Sequence, residues 1–130
     1  MNPVEVVEAI YAAMAAKDFG ALFRHLDPTI VVRQDERLPW GGVWEGHDGF
    51  ATFGMTLAGE IESAVTVDAI FEADGWVVQT GRTKGRTLRS GAEFDIPEVH
   101  RWRIGDDGKA VEAHMAIDTP AMLRALAGDG

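Results

Sequence analysis

The first sixty residues repeat mostly with the period of a helix and the rest mostly with the period of a strand, which predicts an α+β domain. Asp74-Gly75 and Asp107-Gly108 punctuate the second half, and such dipeptides favour tight antiparallel hairpins. Helices set apart from a meandering antiparallel sheet give this class rather than an alternating α/β one.

Each element has a local reason. Over residues 3–17, Val7, Ile10, Tyr11 and Met14 form one apolar stripe, with Pro3 in the first turn. Asp18 starts a second short helix with Phe19, Leu22, Phe23 and Leu26, which Asp27-Pro28 ends. Thr29 to Arg33 is β-branched and reads as a short strand. Gln34 to Gly46 is irregular and glycine-rich, with Trp40 and Trp44 packing it down. Asp48 caps a third helix, about 49–59, with Phe50, Phe53 and Leu57 on one side. From residue 61, Val65, Val67, Ala69 and Phe71 alternate with Thr66, Asp68 and Glu72. Strands follow over 76–87, 92–104 and 109–117, and a last helix begins near 120, with Thr119 as N-cap and Pro120 at its first position.

The bulk properties narrow the function. A chain of 130 residues with 46% hydrophobic content suits one domain spanning 1–130. Its net charge of −9 repels a phosphate backbone, so nucleic acid is not expected as a partner. No apolar run approaches the ~18–20 residues that cross a bilayer, so no membrane partner is expected either. The N-terminus lacks the basic flank of a secretory signal, and the expected compartment is the cytoplasm. Without cysteine there is no disulfide, thiolate nucleophile or cysteine metal site, and the four histidines lack metal-ligand spacing, so no metal or cofactor is expected. Arg82, Lys84, Arg86 and Arg89 read as the solvated side of a hairpin.

The segment 94–104 carries the chemistry. Phe94, Ile96, Trp102 and Ile104 share one parity, which marks the buried face, and Glu98 and His100 have that parity too. A carboxylate and an imidazole therefore point into an apolar interior, unless a bulge at Pro97 turns Glu98 away. Buried polar groups need partners, and a histidine that titrates near neutrality suits acid–base work. Asp35, at the end of the first strand beside the tryptophan-rich loop, is a second candidate; its alternative is a loop charge paired with Arg37. His114 has the outward parity of its strand, His25 and His47 sit at a helix end and a turn, and Asp118 reads as a cap.

Several stretches together resemble the SnoaL-like branch of the nuclear-transport-factor-like superfamily. They are Tyr11-Ala12-Ala13-Met14-Ala15-Ala16-Lys17-Asp18, Leu38-Pro39-Trp40-Gly41-Gly42 with Trp44-Glu45-Gly46 and Gly49-Phe50, and Val99-His100-Arg101-Trp102-Arg103 followed by Gly108-Lys109 and Asp118-Thr119. The resemblance covers nearly the whole chain and includes relatives of ketosteroid isomerases, polyketide cyclases and limonene-epoxide hydrolases. It implies a cone-shaped, curved antiparallel sheet wrapped around the N-terminal helices, of the cystatin-like roll type, enclosing an apolar pocket. His100 then falls where the isomerases place a donor for the developing enolate, with Asp35, or Gln34 before it, near their base. Their oxyanion tyrosine corresponds to Ile10, with Tyr11 one residue on, and the cyclases' last-strand aspartate corresponds to Met115. Implied pocket-lining residues are Ile10, Tyr11, Met14, Trp40, Trp44, Phe50, Phe53, Trp102 and Met115.

The function expected from this is cofactor-free acid–base chemistry, by an isomerase, cyclase or lyase, on an apolar carbonyl-containing molecule. Asp35 would move the proton, His100 would hold the oxyanion and Glu98 would orient His100. A homodimer through the outer sheet face is expected from the same resemblance. The rival is a ligand-binding or dimerisation module without catalysis.

Overall fold

A computed structural model describes residues 1–128. The elements run α1 (Pro3–Ala16), α2 (Phe19–Arg24), β1 (Leu26–Gln34), β2 (Gly42–Glu45), α3 (Gly46–Ala58), β3 (Ile61–Ala73), β4 (Trp76–Thr87), β5 (Glu93–Ile104), β6 (Ala110–Ile117) and α4 (Thr119–Leu126). The strands form one six-stranded curved sheet, ordered β2-β1-β6-β5-β4-β3, with the helices against its concave face. This is the α+β cone. None of its helices, among the described residues, is long and apolar enough to cross a membrane.

The sheet departs from the expected all-antiparallel form. β1 runs parallel to β6, and the whole α3-to-β5 excursion serves as the long connection that parallel pairing demands. β2, four residues inside the stretch expected to be irregular, pairs with β1 at the opposite edge from β3. Asp27-Pro28 does not end α2, which stops at Arg24 with His25 as C-cap. It instead lies in a bulge of β1 between Leu26 and Val31, where Asp27 Oδ1 accepts from Thr29 N at 2.9 Å.

Asp118, read as a cap, is the N-cap of α4 and accepts from Ala121 N at 3.1 Å, whereas Thr119, also read as the N-cap, is the first helical residue. α3 starts three residues before the expected position, with Glu45 at its N-cap and no side-chain cap bond, so Asp48 lies within the first turn. His47 is in that turn as well, its Nε2 2.8 Å from Leu26 O.

β5 runs against β4 from Glu93 through Trp102 without a bulge, so Glu98 stays on the inner face. Pro97 is tolerated because its carbonyl accepts from Asp118 N at 3.1 Å; its nitrogen faces that same side, beyond the end of β6. β3 does carry a bulge, at Asp68, which splits the expected row: Val65 and Val67 face inward, whereas Ala69 and Phe71 face out.

The sheet curls hardest where β3 crosses β4. A Cβ on Gly85 would lie 1.9 Å from Glu62 O, and one on Gly81 would lie 2.2 Å from Thr66 O. Glycine at these inward positions permits the close approach that makes the cone. Gly54, inside α3, has nothing within 4 Å of its missing Cβ. Gly85→Ala should therefore destabilise the fold by more than about 2 kcal/mol, and Gly54→Ala should stabilise it by up to about 1 kcal/mol. Urea unfolding of both variants checks this; equal midpoints would contradict the crossing geometry.

Candidate active site

Three consecutive inward positions of β5 build the site: Glu98, His100 and Trp102. The register sets Gly81, Gln79 and Val77 of β4 beside them on one side, and Ile117, Met115 and Ala113 of β6 on the other. Tyr11 arrives from α1, packed edge-on to Trp102 at 5.9 Å and stacked near His100 at 6.1 Å.

The first hydrogen bond among these groups has a forced direction. Trp102 is 0% exposed, and its indole N–H, which only donates, points at Tyr11 Oη at 3.0 Å. The phenol therefore accepts there, and its oxygen lies 2.7 Å from His100 Nδ1, to which it donates in the Nε2–H tautomer of the imidazole. In that neutral tautomer the Nε2 proton is left free of the network, and His100 lines the cavity. Burial agrees, since it pushes the imidazole pKa down to about 4. Burial likewise raises the Tyr11 pKa, despite hydrogen bonds from Gln79 and Trp102 that pull it back, so the phenol keeps its proton.

Glu98 Oε2 accepts from Gln79 Nε2 at 2.5 Å and lies 3.3 Å from His100 Nδ1. Burial raises its pKa and the Gln79 amide partly offsets this. The Gln79 Oε1 is buried without a partner.

This network lines a cavity of about 670 Å³ that opens between α1 and β3. Tyr11, Met14, Trp40, Phe53 and Met115 line it as expected, with Glu98 and His100. Four expected wall residues stand behind it. Ile10 and Trp102 are sealed in the core, Phe50 packs on Phe23 and Phe53, and Trp44 packs on Phe53 with its indole donating to Trp40 O.

Asp35 is placed away from the cavity. Its carboxylate takes Arg37 Nη2 at 2.7 Å and Nε at 3.0 Å at the surface, and those bonds pull its pKa down to about 2. The preceding Gln34 does line the cavity, but its amide is occupied: Nε2 donates to Met115 O, and Oε1 accepts from Trp40 Nε1 at 3.2 Å. Sequence reasoning missed Gln79, although its parity with the buried Val77 marked it as a polar residue facing inward.

The same fold has been seen in other proteins. Residues 7–113 match the SnoaL-like domain family. The chain belongs to that family. An NTF2-like protein from Burkholderia thailandensis superposes with a TM-score of 0.89 at 26% identity, covering 97% of this chain and 98% of that one. The protein TerC, co-crystallised with polyporic acid, gives 0.87 at 22% identity over 98% and 99%. A proposed SnoaL-like polyketide cyclase from Jannaschia sp. CCS1 gives 0.81 at 21% over 95% and 90%. No curated protein matches the sequence.

The proton positions in this SnoaL-like site are testable through pH. His100 folds with a pKa near 4 against an ordinary 6.5, so the stability that follows from its neutrality is present above pH 6.5 and declines as pH falls toward 4. Glu98 runs the other way: its raised pKa adds stability below the ordinary 4.5, which is lost as pH rises through the folded value. The unfolding midpoint of His100→Asn should lack the decline between pH 6.5 and 4 that wild type shows. Nitrogen-15 spectra should show one imidazole with an Nε2–H that does not titrate above pH 5.

Proposed function

We propose that this cavity is the active site of a cofactor-free enzyme that moves a proton on an apolar, carbonyl-containing small molecule, as an isomerase, cyclase or lyase. The observation that carries this reading is the Trp102→Tyr11→His100 chain, which leaves Nε2–H as the ring's free donor beside a carboxyl group of raised pKa. A proposed SnoaL-like polyketide cyclase and a protein co-crystallised with polyporic acid share the fold and are consistent with this reading.

The step balances simply. The Glu98 carboxylate takes a proton from the carbon next to the carbonyl. The C–H electron pair moves to the carbonyl oxygen, and the resulting enolate oxygen accepts from His100 Nε2–H. Glu98 then returns the proton to another carbon, or the enolate carbon closes on an electrophilic carbon of the same molecule. Raised pKa suits this double duty, because a group that both takes and gives a proton works best near the ambient pH. Asp35 has no part in the step. A second reading, a binding module, is favoured by the apolar Met115 on the cavity wall, where the cyclases and epoxide hydrolases it resembles carry an aspartate.

Proton exchange into ketones decides between the two readings. In heavy water, wild type should exchange the α-protons of aromatic ketones such as 2-tetralone, followed by NMR. Glu98→Gln should lose roughly 10²–10⁴ in rate, and His100→Asn roughly 10²–10³. Asp35→Asn should leave the rate unchanged. Binding without exchange would favour the module.

We also propose a homodimer through the outer sheet face. Val43 is 54% exposed, Val99 50% and Phe71 44%, and all three lie on that face. Four arginines there are already engaged: Arg82 with Asp95, Arg86 with Glu62, and Arg101 and Arg103 on the Trp76 ring. Light scattering at micromolar concentration should give twice the 14.1 kDa chain mass; the monomer mass would count against it.

A further inference from the structure

The cavity wall carries three charged side chains, Glu8, Lys17 and Glu98, beside the neutral His100 and the uncharged polar Tyr11, Gln34, Ser63 and Thr83; the rest of it is apolar. Glu98 belongs to the chemistry. Lys17 is the one cation of the wall among the described residues. It follows α1 as its C-cap, in a left-handed conformation with φ 55° and ψ 32° that glycine adopts without cost. Its backbone N–H already caps the helix through Ala13 O and Met14 O, so the cap itself does not require a lysine side chain. No ion pair to Lys17 exists among the described residues. The adjacent Asp18 carboxylate is taken by Ala21 N at 3.1 Å.

α1 measures the distance between the two ends of the cavity. Tyr11 contacts His100, and Lys17 follows six residues later, about 9 Å along the axis. Glu8 lies three residues to the other side of Tyr11, so an anion is repelled from that end and attracted at this one. We propose that Lys17 is a specificity-determining residue, which selects, among apolar carbonyl compounds, those that carry a carboxylate at the end opposite the reacting carbonyl. This inference rests on the proposed use of the cavity, and it names the class of molecule that the cavity prefers.

The test uses two probes, 2-naphthol and 6-hydroxy-2-naphthoate, which share a two-ring body and a hydroxyl that mimics the enolate oxygen. Only the second has a carboxylate at the far end. Titration calorimetry at pH 7 should give wild type a two- to fivefold tighter affinity for the naphthoate, the size expected of an exposed charge pair. The preference should shrink in 1 M salt. Lys17→Met should abolish the preference and leave naphthol binding unchanged, and Lys17→Glu should reverse it. Lys17→Gly should raise the melting temperature and also abolish the preference. A lysine that merely serves the negative end of the helix dipole would change stability and leave the preference intact, which would overturn the inference. Equal binding of both probes to wild type overturns it alone, and the catalytic reading stands. Failure of both probes to bind overturns the inference and the cavity's proposed use together.

Discussion

The indole N–H of Trp102 can only donate, and it is sealed where no water can take its proton. That one-way group fixes the role of the tyrosine oxygen beside it. The Tyr11 oxygen must accept from it, which leaves the phenol proton for another partner, and His100 Nδ1 lies 2.7 Å away. Burial keeps the imidazole neutral, and the tautomer that accepts the phenol proton carries its own on the ring edge away from the network. A histidine in a looser setting would choose its tautomer by chance encounters with solvent. Here three closely packed rings hold the Tyr11–His100 contact, and each ring is held by the burial of its neighbours.

The cavity exists because the sheet bends instead of packing flat. Gly81 and Gly85 let the carbonyls of β3 approach β4 to distances that no Cβ would permit. The bulge at Asp68 then returns Ile70 to the inner face after the chain has gained one residue. Val65 and Val67, whose period marks them for a core, are left as cavity wall and are about two-fifths exposed. Apolar surface normally closes on itself, so its persistence around about 670 Å³ means that no other element reaches far enough to fill the space.

Charge is divided between the two sides of the sheet. Alternation along β4 turns Arg82, Lys84 and Arg86 outward while Gln79 and Thr83 turn in, so most of the basic side chains stay hydrated. On the outer face, Arg101 donates to His114 and both it and Arg103 lie against Trp76, which holds the positive charges close to one aromatic ring. Inside, Glu98 is nearly fully buried, and Gln79 is the hydrogen-bond donor that makes this tolerable. The lone Oε1 of Gln79 is the residual cost of that arrangement.

The sequence by itself determined the class of fold, the two hairpins at Asp74-Gly75 and Asp107-Gly108, and the inward parity of Glu98, His100 and Trp102. These follow from period and turn chemistry, which act over a few residues and need no knowledge of the rest of the chain. Only the tertiary structure decided the rest. Whether Asp35 reached the cavity depended on a competition between the interior and a nearby guanidinium, and the exposed Arg37 won because it leaves the carboxylate hydrated. Tyr11 instead of Ile10 meets His100 because a rotation of one residue, about 100°, separates them on α1, and only the docking of that helix on the sheet sets the angle. The parallel pairing of β1 with β6 and the bulge at Asp68 are likewise long-range choices, made by burial on one face of a sheet that the local sequence could not foresee.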